Sequence, residues 1–152
     1  MKNRTFWALA VFAAGWLTAP ANAGGARDGW LPIAEDKRQT IPVSAVDRHH
    51  LLYEMRTMLH GLLNIQRALA RHDMAGVALQ ATEMGGLVDK LPNTLRARMP
   101  EPFMMLGEGL KRSFAGLASA AAAKDEAAIQ VALAEALSYC SGCHDTYRFH
   151  ER

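Results

Sequence analysis

The chain has 152 residues, a length that suits one domain, and carries 17 Lys and Arg against 15 Asp and Glu. So even a balance leaves no basic footprint of the kind that nucleic acid requires. No nucleophile–base pair or carboxylate dyad stands out to suggest an enzyme.

In chain order, Lys2 and Arg4 form a short positive start, and Phe6 to Leu17 is an apolar run. "APANAGG" follows, with small residues at Ala21 and Ala23. This is the pattern of a signal peptide over residues 1–23, cleaved after Ala23. The apolar run falls short of the ~20 residues that a membrane-spanning helix needs. Removal of this segment takes two cations and no acid, so the remaining chain is formally neutral. No later segment is apolar enough to cross a bilayer. The expectation is an exported protein of the periplasm with no stable membrane insertion after cleavage.

Residues 24–43 mix Gly, Pro and charge and read as an extended arm, with Trp30 and Ile33 as candidates for packing on the domain. The helical domain is expected over residues 44–152. Leu51, Met55, Met58, Leu62, Ile65 and Leu69 recur at steps of four and three, one apolar stripe on a helix. Ser44 and Asp47 resemble a capping box at its start, and Tyr53, Arg56, His60 and Arg67 lie on the opposite face. Asp73 can cap a second helix with Val77, Ala81, Met84, Val88 and Leu91 on its seam, stopped by Pro92. Pro102 suits the first turn of a third, striped by Phe103, Leu106, Leu110, Phe114, Leu117 and Ala121. Asp125 can cap a fourth, in which Ile129, Leu133, Ala136, Cys140, Cys143, His144 and Tyr147 share one face. No segment shows the two-residue alternation of a half-buried strand. The fold class is therefore all-α, an antiparallel four-helix bundle.

Both cysteines of the chain sit in "SYCSGCHDTYR", residues 138–148. A redox-active CxxC normally opens a helix after a strand, and this one lies late in a helical segment. A structural zinc site wants four ligands, and Cys140, Cys143 and His144 supply three. A disulfide gives the adjacent histidine no task. Covalent haem attachment uses all three, as C-x-x-C-H. On a helix, positions i, i+3 and i+4 share one side, so two thiols can bond the haem vinyl groups while His144 reaches the iron as proximal ligand. One haem c per chain is the expected cofactor, held near the C-terminus of the fourth helix. Attachment after export agrees with the leader.

The ending "CSGCHDTYR", a CxxCH followed by two residues, an aromatic and a basic residue, resembles that of the cytochrome c′ family, including its low-spin, methionine-ligated relatives. The likeness covers the helix order of the domain and is specific over residues 140–148. It implies that Arg148 lies near the proximal imidazole and the haem edge, against the plainer view of a solvated arginine helped by the helix dipole. Tyr147 packs on the core or the macrocycle. Alignment of the first helix with the methionine-ligated relatives brings Met55, ahead of Met58, nearest the sixth iron position. A His144/Met55 pair would make a low-spin iron with a raised potential, although methionines at helical spacing are often core filler. Without that bond the iron is five-coordinate beneath an apolar lid of Leu51, Leu52 and Met55, open to NO or CO. His49, His50 and His60 lie off the seam, His72 and His150 read as surface residues, and Glu54 and Arg56 read as solvated. Two functions follow: a single-electron carrier that docks transiently with periplasmic redox proteins, or a gas-binding sensor or scavenger. The resemblance also implies a homodimer paired through the first two helices.

Overall fold

The computed structural model describes residues 35–152. The signal-peptide segment and the part of the arm that holds Trp30 and Ile33 lie outside the described residues. The elements in chain order are β1 (Gln39–Val43), α1 (Ala45–Leu69), α2 (Met74–Val88), α3 (Asn93–Arg96), α4 (Glu101–Ala122), α5 (Glu126–Thr146) and β2 (Tyr147–Glu151).

Each long helix starts where its capping chemistry puts it. The Ser44 hydroxyl accepts from the Asp47 N–H at 3.1 Å and donates to the Asp47 carboxylate at 2.8 Å. Asp73 accepts from the Gly76 N–H and Asp125 from the Ala128 N–H, both at 2.9 Å. Pro102 falls in the first turn of α4, where its missing N–H costs nothing. The α1–α2 and α4–α5 turns share one device. His72 (φ 52°) and Lys124 (φ 58°) adopt the left-handed conformation, and the next N–H reaches back to Ala68 O and Ala120 O respectively. This closes each helix in a Schellman-type end, and the same Asp residue that makes the closing bond caps the next helix.

The four long helices form the expected bundle. α1 packs on α2, α2 on α4 and α4 on α5, whereas α1 and α5 have no comparable contact of their own. One core, around Ile65, Val77, Met84, Phe114, Leu117, Ile129 and Leu133, fills the α1–α2 and α4–α5 turn end. A second, around Ile41, Val43, Leu51, Leu95, Met99 and Tyr147, closes the other end.

One element is added to the expected set and two expectations are corrected. The connector between the second and third long helices holds a short helix, α3, started after Pro92, which buries Leu95. Residues 39–43 are not merely an extended arm: β1 pairs in parallel with β2, in the register Gln39↔Tyr147 to Val43↔Glu151. Tyr147 accordingly belongs to β2, not to the last helical turn, although it remains buried as expected. The strands form because Ile41, Val43, Tyr147 and Phe149 alternate with exposed neighbours and turn inward on the second core. Pro42 is tolerated because a two-stranded sheet has an open edge on each strand.

Candidate functional site

Between α1 and α5, which pack on each other far less than their neighbours do, the bundle holds two adjoining cavities. The larger, of about 230 Å³, is lined by Leu51, Leu52 and Met55 of α1, Cys143 and His144 of α5, Tyr147, Arg148 and Phe149 of β2, Phe103, and the arginines Arg38 and Arg48. The smaller, of about 110 Å³, is lined by Leu51, Glu54, Met55 and Met58 of α1, by Tyr139, Cys140, Cys143 and His144 of α5, and by apolar residues of the α2 end and α4. Leu51, Met55, Phe103, Cys143 and His144 face both, so the two cavities are parts of one cleft. Every residue singled out in the sequence for this site lines it: Cys140, Cys143, His144, Tyr147, Arg148, Met55, Leu51 and Leu52. Met58 reaches the smaller part alone. His49, His50 and His60 line neither part.

Both thiols are free and half-buried, and His144 is exposed at the edge. Loss of solvent pushes the Cys143 thiol up to about 11, helped by the nearby Cys140, and raises Cys140 in the same way. The two are therefore neutral thiols at pH 7. A thiol–disulfide oxidoreductase needs the opposite, a thiol lowered by a helix N-terminus or a cation. Among the described residues no three His, Cys, Asp or Glu side chains converge as a metal-holding group. The donor set does fit a covalently held haem. Two thiols and an imidazole lie along one flank of an apolar cleft, and the soft thioether of Met55 lies on α1, which supplies the facing wall.

Four further residues belong to this region. Phe103 meets Tyr147 and Phe149 edge-on, at centroid distances of 5.4 and 5.9 Å, and so ties α4 to the strand that follows the cysteine motif. Arg38 donates to the His144 carbonyl at 3.3 Å. Tyr139 packs its ring on Gly109 of α4. Glu54 corrects the expectation of a solvated side chain, since it is only 6% exposed. Its position gave a signal: Glu54 stands three residues after Leu51 and four before Met58, on the seam itself. His50 Nε2 lies 3.1 Å from Glu54 Oε1, but the approach is poorly directed, and neither buried atom has a hydrogen-bond partner. Burial raises the Glu54 carboxyl above the ordinary glutamate range, with His50 and Lys90 opposing that shift.

Residues 98–148, from the end of the α3 connector through α4 and α5 to the first residues of β2, match the family model described as Cytochrome C'. The resemblance carried by residues 140–148 is thus shown over the two helices that build one side of the cleft, and it supports a c-type haem protein. No curated protein and no solved structure matches the chain. Among the described residues no helix is long and apolar enough to cross a membrane.

Proposed function

We propose that this protein is an exported, periplasmic c-type cytochrome that carries single electrons. Cys140 and Cys143 would hold one haem covalently, His144 would bind its iron, and Met55 would supply the sixth ligand. One observation carries this reading: the two thiols, the imidazole and the thioether, from helices at opposite ends of the domain's sequence, line one apolar cleft. When bound, the haem supplies the one-electron ferric/ferrous couple, and the chain sets how that couple behaves.

Apolar residues around the cleft exclude water, and a His/Met ligand pair raises the potential relative to harder donors. Met55 touches both parts of the cleft, and Met58 only one, which favours Met55 as ligand. The mouth beside His144 and Arg148 is the exposed edge, where an electron would enter or leave through a transient partner.

A five-coordinate, gas-binding protein is the second reading. It draws on the same apolar lining of Leu51 and Leu52, which would admit only small uncharged ligands. The two separate on an absorption spectrum of the matured protein. A low-spin spectrum with a methionine–iron charge-transfer band, lost in Met55→Ala together with the gain of rapid CO binding, is the outcome expected for the electron carrier. Rapid CO binding by the unaltered ferrous protein would instead establish the gas-binding reading. A pyridine haemochrome assay that finds no haem in protein matured with the attachment machinery would overturn both.

A further inference from the structure

Taking His144 as the iron ligand, as proposed above, we infer that Asp36 and Arg38 act as a positioning brace that fixes the end of α5 and with it the proximal imidazole. The last carbonyls of an α-helix have no partner within the helix. In α5 the Cys143 carbonyl is taken by the Tyr147 N–H. The next carbonyl, that of His144, accepts from Arg38 Nη1 at 3.3 Å, from a residue 106 positions away in sequence. A guanidinium is well suited to this place, because a cation at a helix C-terminus meets the negative end of the dipole.

Arg38 does not reach His144 as a free side chain. Its Nε and Nη2 grip the two carboxylate oxygens of Asp36 at 2.9 and 2.8 Å, a two-pronged contact that sets the guanidinium plane. The Arg38 N–H adds a bond to Asp36 at 3.1 Å. Asp36 also accepts from Arg148 Nη1 at 3.4 Å, and Arg148 Nε donates to Thr40 Oγ1 at 2.9 Å. His144 and the residues just after it are therefore tied to segment 36–40 twice, by side chains and by the Gln39↔Tyr147 ladder. These groups are largely exposed, and exposed ion pairs add little to global stability. What a brace of this kind can change is geometry: the freedom of the His144 backbone and hence of the ring it carries.

The opposite charges of the two residues separate position from electrostatics. A pure charge effect predicts opposite shifts of the reduction potential in Arg38→Gln, which removes a cation, and Asp36→Asn, which removes an anion. A brace predicts shifts in the same direction, because each substitution breaks the same fork. It also predicts that Arg38→Lys, which keeps the charge but cannot make the fork, behaves as Arg38→Gln. The experiment compares the haem-loaded parent and the three variants by redox titration, by the iron–imidazole vibration of the ferrous form and by amide hydrogen exchange of residues 147–151. Expected are same-direction potential shifts, a displaced vibration and severalfold faster exchange in all three variants. Opposite shifts, full rescue by Arg38→Lys, or parental potential, vibration and exchange would each overturn the brace. Absence of haem in the parent would be a different failure, that of the reading on which the brace rests.

Discussion

Gly109 of α4 lies directly beneath the ring of Tyr139 on α5, and a Cβ at position 109 would overlap that ring. The contact sets how closely α4 and α5 approach in the turn that carries Cys140. An alanine at position 109 gains up to about 1 kcal/mol of helix propensity but overpacks the interface, at a cost of about 1–3 kcal/mol. Because an aromatic ring yields less readily than the end of a flexible chain, the second effect wins. Gly109→Ala is expected to lower the melting temperature and to perturb the absorption spectrum of the matured protein. A variant that melts at or above the parent temperature would show that Tyr139 moves aside freely.

Glu54 adds a pH dependence of unusual sign. Its carboxyl is raised in the folded state by burial, so the folded protein holds this proton more tightly than the unfolded chain does. Below the ordinary glutamate pKa the proton is bound in both states and there is no penalty. As pH rises through the raised folded value the carboxylate must ionise in a buried place, and stability falls. Glu54→Gln is therefore expected to be more stable than the parent at pH 7, by about 1 kcal/mol, with the advantage fading towards pH 4. Urea melts at the two pH values measure this. A parent that is the more stable at pH 7 would mean that the His50 contact outweighs the burial cost.

Asp47 behaves in the opposite way. The Ser44 hydroxyl and the Arg98 guanidinium hold its carboxyl below the usual range. Its contribution is then complete above the ordinary aspartate pKa and is lost as pH falls through the lowered folded value. Asp47→Asn should destabilise at pH 7 and converge with the parent under strong acid. A difference that persists unchanged at low pH would assign the loss to something other than ionisation.

Phe114 and Phe103 should separate stability from site integrity. Phe114 is 1% exposed in the core at the turn end, and Phe114→Ala is expected to cost about 3–5 kcal/mol while leaving the absorption spectrum of the surviving folded protein close to parental. Phe103 of α4 is half-buried against β2 and lines both parts of the cleft. Phe103→Ala should cost less stability and change the spectrum more. Chemical denaturation followed in the far ultraviolet and in the visible distinguishes the two. The reverse ranking would mean that the cleft is shaped from the turn end.

The bundle was legible because its signals are local. Ser44, Asp73, Asp125 and Pro102 mark helix starts by groups within one turn of themselves, and the seams repeat at helical spacing. The cleft was legible for a different reason: Cys140, Cys143 and His144 are consecutive on one face, and Met55 shares a stripe with Leu51. What escaped depends on long-range company. The alternation in "YRFHE" spans only five residues and follows a helical face whose spacing extends through Tyr147, so periodicity favours the helix. Arg38 gives no sequence sign that it meets a carbonyl more than a hundred residues away. Glu54 reads as solvated because a carboxylate is expected to seek water, yet its seam position points inward and the residue is buried.

The parallel union of β1 with β2 makes almost the whole domain one crossover. Closing so large a loop carries the entropic cost of bringing distant segments together, and such non-local pairings form slowly. The fastening of the two ends should thus be a late event in the chain's maturation. Until it happens, the end of α5 is held only by its own helical bonds, without the anchorage that segment 36–43 gives to His144 and to the strand that follows it.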